Sequence, residues 1–229
     1  MAYNVNVRFW RDLRDRQHGS ISGILRSMSH VRSGSDSIPF KKNPAAARSA
    51  LRLIARSETM GWLSASPVKT RTVDEVREVL VWLSARRVAT NSVAAFDAGD
   101  MEGAVQLALE GTEHSPMPED EWPHVRETLG DDMLAGLLHV STSSLRRYAS
   151  GERATPEVIT GRLHALALVM VDLAGAYNDF GIRRWFSRPR TALDGKSPSS
   201  LLSSDWDPEG PEIVKVRNLA AALVGAGAS

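Results

Sequence analysis

Apolar residues along most of this chain recur at the spacing of amphipathic helices. Pro44 is placed to open a helix through Leu51 and Ile54, because proline suits the first position of a helix. Three later stretches each place apolar residues on one helical face. Their positions are Val73, Val76, Leu80 and Leu83, then residues 100–110, then Trp122, Val125 and Leu129. The pattern predicts helices joined by short loops, with a break at residues 115–118.

Two stretches differ from this amphipathic pattern. Residues 3–9 alternate between apolar and polar side chains, which favours a short strand. Residues 155–177, which Thr155 would cap and Pro156 would open, are apolar on most faces. Such a helix lies at the centre of a bundle or against a partner subunit. The predicted fold is therefore an all-α helical bundle with one short N-terminal strand.

Residues 134–156 have the pattern of a helix-turn-helix. Ser141 is placed to cap the second helix and Gly151 to end it. A small core between the two helices would be closed by Leu134, Leu138, Leu145 and Tyr148. The second helix would present hydroxyls and guanidinium groups suited to phosphates and guanine edges. The candidate DNA-binding residues are Ser141, Thr142, Ser143, Arg146 and Arg147.

This stretch resembles the helix-turn-helix of the Xre and phage-repressor families, in which the second helix enters the major groove. One position departs from their pattern, because the turn residue that is often glycine is His139 here. We expect His139 to take the left-handed conformation, which histidine tolerates better than most residues. Without a DNA role, the same residues would form two core helices with a pair of surface arginines.

The C-terminal stretch carries several anchors at fixed spacing. They are Trp185, Pro189, Leu193, Gly195, Pro198, Leu201 and Leu202, followed by a last helix through Val214, Val216, Leu219 and Leu223. Physically these residues predict a compact cap on the bundle, with a tight turn at Gly195 and a short helix from Pro198. As a pattern, residues from about 120 to 229 resemble the toxin-binding domain of the Xre/MbcA/ParS antitoxin family, although this chain has a longer N-terminal segment.

The resemblance implies a homodimer that represses its own operon and binds a partner toxin. The usual partner in that family is a RES-domain toxin, and a PIN-domain ribonuclease is the alternative because the N-terminal segment could carry its own binding surface. We expect two parts: a helical extension at residues 1–115, basic at its start, and a helix-turn-helix and toxin-binding part at residues 116–229. The candidate toxin-binding residues are Arg183, Arg184, Trp185, Arg188, Arg190, Leu219 and Leu223.

Charge is unevenly distributed, although the net charge is only +1. Residues 1–71 hold 13 Lys and Arg against 4 Asp and Glu, a net of +9. Residues 72–130 hold 4 against 12, a net of −8. A basic start beside an acidic middle suits a nucleic-acid-facing end, two segments that pack together, or a solvated basic tail.

The sequence lacks the residues that metal binding and catalysis require. The chain has no cysteine, its six histidines lack the spacing of metal ligands, and no acid, base and nucleophile form a set. We therefore expect no metal site, no cofactor and no enzymatic activity. The sequence also lacks the pattern of a signal peptide and any apolar run long enough to span a bilayer, so we expect a cytoplasmic protein.

Three functions stay open at this point. The first is an antitoxin that neutralises a toxin and represses its own operon. The second is a stand-alone helix-turn-helix transcriptional regulator without a toxin partner. The third is an enzyme built on the N-terminal half, which no set of candidate catalytic residues supports.

Overall fold

Regular structure in this protein is entirely helical in the part of the chain that the structure describes. The structure is a computed structural model, and it describes residues 44–62, 73–174, 176–203 and 205–226. These ranges contain 11 α-helices, one 3-10 helix at Thr191–Leu193, and no strand. The all-α prediction is confirmed, whereas the strand predicted at residues 3–9 lies outside the described residues. The helices are α1 (Pro44–Thr59), α2 (Val73–Ala85), α3 (Ser92–Asp97), α4 (Met101–His114), α5 (Pro118–Leu129), α6 (Asp131–Leu138), α7 (Thr142–Ala149), α8 (Glu157–Ala174), α9 (Asp179–Ser187), α10 (Pro198–Leu201) and α11 (Pro211–Ala226).

Helix α8 is the centre of the bundle. It packs against α1, α5, α6, α9 and α11, and every residue from Arg162 to Leu173 is buried. The sequence predicted that this helix lies either at the centre of a bundle or against a partner subunit. In the structure it lies at the centre of the bundle. Among the described residues no single helix is both long and apolar enough to cross a membrane, and α8 meets that test only jointly with α9, to which it is bent by 117°.

The start of α8 differs from the prediction. The helix begins at Glu157, so Thr155 does not act as its N-cap. The Thr155 hydroxyl instead accepts a hydrogen bond of 3.0 Å from the indole nitrogen of Trp122 on α5. The N–H group of a buried indole needs a hydrogen-bond acceptor. For Trp122 the acceptor is the hydroxyl of Thr155, which lies 33 residues later in the chain.

The helices on the two sides of residue 115 pack together. All described residues belong to one compact unit, residues 37–229. Within it, α1 contacts both α4 and α8, and the guanidinium of Arg217 on α11 pairs with Glu113 at the end of α4. The division at residue 115 therefore does not coincide with a gap in packing, and it stays a prediction about the roles of the two segments.

Candidate nucleic-acid interface

Helices α6 and α7 form the predicted helix-turn-helix core. Leu134 and Leu138 of α6 and Leu145 of α7 are fully buried, and Tyr148 is nearly so. Tyr148 also stacks on Trp122 of α5, with ring centroids 6.4 Å apart. Two helices, α5 and α6, thus hold α7 in place, and its opposite face is left for the solvent.

The turn between α6 and α7 has the conformation expected for it. His139 lies in the left-handed region, at φ 56° and ψ 44°. Its Nε2–H donates a 3.1 Å hydrogen bond to the carbonyl of Leu202, at the end of α10. Histidine therefore does at this position what glycine could not, because its side chain ties the turn to the C-terminal part of the chain.

Ser141 begins α7 as predicted. Its backbone is extended, and its hydroxyl oxygen accepts a hydrogen bond of 3.1 Å from the amide of Ser144. The same hydroxyl lies 2.9 Å from that of Ser143. Ser141 is thus occupied by capping, while Ser143 is exposed and Thr142 half-buried at the start of the helix.

Arg146 and Arg147 lie on the exposed face of α7, and each is paired with an acid. Arg146 binds Asp131 at 2.8 Å, and Arg147 binds Glu152 at 3.1 Å. Hydrogen bonds from Arg126 and then Arg146 hold the pKa of Asp131 below its usual value. Exposed pairs of this kind contribute little to stability, so both guanidinium groups can exchange their carboxylates for phosphates.

The C-terminal end of α6 is held by residues that follow α10. The indole nitrogen of Trp206 donates to the carbonyl of Leu137 at 2.8 Å. Buried Arg162 donates to the carbonyls of Trp206, at 2.8 Å, and Leu138, at 3.5 Å, and it also pairs with Asp205. Asp205 and Trp206, together with Arg162 of α8, thus hold the C-terminal end of α6 in place.

The predicted toxin-binding residues fall into different environments. Trp185 is only 1% exposed. The prediction that it contacts a toxin is therefore corrected, because its side chain is buried in the core of the bundle. Arg183 donates to the carbonyl of Thr128 at 2.6 Å, and half-buried Arg190 lies over the ring of Trp185 at 5.3 Å. The exposed members of the set are Arg184 and Arg188, while Leu219 and Leu223 are half-buried.

His164 of α8 is the centre of a buried polar cluster that the sequence analysis did not predict. His164 of α8 places Nε2 3.1 Å from the carbonyl of Glu113 and Nδ1 2.5 Å from a carboxylate oxygen of Glu121. A carbonyl can only accept, so Nε2 donates the hydrogen bond to Glu113. The only signal was a histidine in an apolar helix, since its partners are 43 and 51 residues away.

The described residues contain no group of three or more acids and histidines that could hold a metal ion. No protein-family model matches the chain, and neither the curated proteins nor the solved structures give a match. The candidate interface is therefore judged on its own geometry.

Proposed function

We propose that this protein binds DNA through α7 and regulates transcription. The observation that carries the proposal is the geometry of α6, the turn and α7, in which a short capped helix is held by a buried core and turns hydroxyls and two arginines outward. A helix of this kind fits the major groove, where arginine can form paired hydrogen bonds with guanine.

Within this class, we infer that the protein is a cytoplasmic antitoxin that represses its own operon and neutralises a toxin with a RES or PIN domain. The support is the resemblance of the C-terminal part, together with the exposed Arg184 and Arg188 at the C-terminal end of α9. The alternative is a stand-alone regulator. The two differ in whether the product of the neighbouring gene forms a complex with this protein.

The DNA-binding proposal predicts the effect of removing both arginines of α7. Each well-placed arginine contact to a base or phosphate is worth on the order of 1–3 kcal/mol. The double variant Arg146→Ala/Arg147→Ala should therefore bind DNA from upstream of its own gene about a hundredfold more weakly. Fluorescence anisotropy at one fixed salt concentration measures this, and circular dichroism checks that the helices persist.

The matched control removes two exposed arginines elsewhere. Arg184→Ala/Arg188→Ala changes the net charge by the same amount but leaves α7 intact. Its affinity for the same DNA should stay within about threefold of the unaltered protein, since a distant surface charge acts only weakly through salt. Equal losses in both double variants would mean that binding is a general charge effect, and unchanged binding in the α7 variant would refute the interface.

A further inference from the structure

A cleft opens between α1, α8 and α11, on a part of the molecule that the helix-turn-helix does not use. Its volume is about 200 Å³. It is lined by Arg52, Asp172, Val214, Arg217, Asn218 and Ala221. The lining thus combines residues from the N-terminal extension, the central helix and the last helix.

The cleft has more positive than negative charge around it. Arg52 binds Asp172 at 3.3 Å across its floor, and Arg217 pairs with Glu113. Buried Arg56 binds the same Glu113 carboxylate at 3.2 Å. Three guanidinium groups and two carboxylates sum to +1 when both acids are ionised. The arginine Nε of Arg217 is buried and has no hydrogen-bond partner among the described residues. That atom is not accessible from outside, but the Arg52 side chain is 49% exposed, so an added carboxylate can reach the Arg52 guanidinium.

One exposed apolar side chain lies beside these charges. Val214 on α11 lines the cleft and is 46% exposed. Along α11, Val214, Asn218 and Ala221 follow one another at intervals of four and three residues, so they form a single stripe beside the cleft. Apolar side chains beside a charged centre are typical of a protein interface.

We propose that this cleft receives an aspartate or glutamate side chain of a partner protein, whose neighbouring apolar residues cover Val214. The inference rests on the antitoxin function proposed above and makes the toxin the partner. A protein fits better than a free anion, because a small anion would leave Val214 exposed. A protein also fits better than DNA, because sugar and phosphate groups would leave Val214 without an apolar partner.

Ala221 provides a direct test, because it is exposed, lines the cleft and takes part in none of its ion pairs. Ala221→Glu places a carboxylate where the partner's would lie, and Ala221→Lys adds a cation of similar length. Both residues are good helix formers, so the fold should tolerate each. The chain is co-expressed with the product of the neighbouring gene, and affinity is measured by calorimetry on the purified proteins. Ala221→Glu should weaken the complex at least about tenfold, whereas Ala221→Lys should stay within about threefold or bind more tightly.

Ala222→Glu is the matched control, since it has the same chemistry on the same helix but its side chain does not line the cleft. This variant should bind within about threefold of the unaltered protein. DNA binding should be unchanged in all three variants, which shows that a lost complex is not lost folding. If the complex forms and Ala221→Glu leaves it intact, this surface is wrong while the antitoxin function stands. If no complex forms with the unaltered protein, the antitoxin function fails and the inference with it.

Three further results would overturn the chemistry of the proposal. Equal weakening by Ala221→Glu and Ala221→Lys would indicate a steric contact without a carboxylate. Loss of DNA affinity in Ala221→Glu alone would assign the cleft to nucleic acid. Saturable binding of free glutamate to the unaltered protein, abolished in Ala221→Glu, would make the cleft a small-anion site.

Discussion

At the scale of single residues, Glu113 joins segments that lie far apart in the chain. Its carboxylate binds Arg56 of α1 and Arg217 of α11, and its backbone carbonyl accepts from His164 of α8. Burial raises the pKa of Glu113, but hydrogen bonds and charges from Arg217 and Arg56 outweigh that effect, so the pKa lies below its usual value. The ionised form is therefore the one that the folded protein favours.

This lowered pKa predicts how stability depends on pH. A carboxyl whose pKa is lower in the folded than in the unfolded chain stabilises the fold above its unfolded value of about 4.3, and this contribution is lost as the pH falls through the folded value. At pH 7, Glu113→Gln should lower the free energy of unfolding by about 1–3 kcal/mol, because buried Arg56 loses its charged partner. Urea unfolding at several pH values measures the difference between the two proteins.

That difference should begin to shrink as the pH falls below the unfolded value of about 4.3, and it is lost once the pH falls through the lower folded pKa, where Glu113 is neutral in both states. Asp172 acts in the opposite direction, because burial raises its pKa and its contribution is lost as the pH rises. Both proteins contain Asp172, so its effect cancels in the comparison. A difference that stayed constant from pH 7 to 3 would mean that Glu113 stabilises the fold without its charge.

At the scale of elements, α11 has one face buried in the core and another face exposed at the surface. Ile213, Val216 and Ala220 are fully buried, and α11 packs along α8. Val214 and Ala221 point away from that contact. Deleting α11 would remove core contacts as well as its exposed face. A deletion variant is therefore a poor way to locate a toxin-binding surface.

A chain that ends before Pro211 should therefore fail to fold cooperatively. Burial of an Ile or Val side chain contributes about 1.5–3 kcal/mol, and a domain of this kind has only about 5–15 kcal/mol of stability. Thermal denaturation followed by circular dichroism should show a broad transition or none, with loss of DNA binding. A control chain that ends at residue 226, where α11 ends, should melt like the full chain. A sharp transition in the shorter chain would show that α8 does not depend on α11.

At the scale of the whole molecule, the apolar surface of α8 is covered by the chain's own helices. The sequence suggested a homodimer for two reasons, namely an apolar α8 that a partner subunit could cover and the resemblance to a family of dimeric antitoxins. The structure removes the first reason, since Arg162 to Leu173 are buried within one chain. The homodimer stays a prediction that rests on the second reason alone.

A core that one chain completes should make thermal stability independent of protein concentration. Proteins whose core is shared between subunits melt at higher temperature when concentrated, because dissociation accompanies unfolding. Wherever light scattering shows a monomer, the melting temperature should change by less than about 2 °C between about 1 and 100 µM. Differential scanning calorimetry over that range measures it, with light scattering on the same samples. An unfolded chain at low concentration, with folding only where light scattering shows a dimer, would mean that the folded core requires a second subunit.

The sequence by itself determined the features that depend on neighbouring residues. Periodic apolar positions fixed most of the helices, Ser141 fixed the start of α7, and His139 and Gly151 fixed two left-handed backbone positions. Each of these follows from the backbone preferences of a residue or from contacts three or four positions away. The residues proposed to bind DNA are local in the same sense, because they share one short helix.

Only the tertiary structure decided which polar groups became partners. Trp122 bonds to Thr155 across 33 residues, Trp206 to Leu137 across 69, and Arg217 to Glu113 across 104. The cleft on α1, α8 and α11 is likewise assembled from distant segments. No periodicity encodes such pairs, because burial alone creates the demand for a partner and the packing of helices determines which one is within reach.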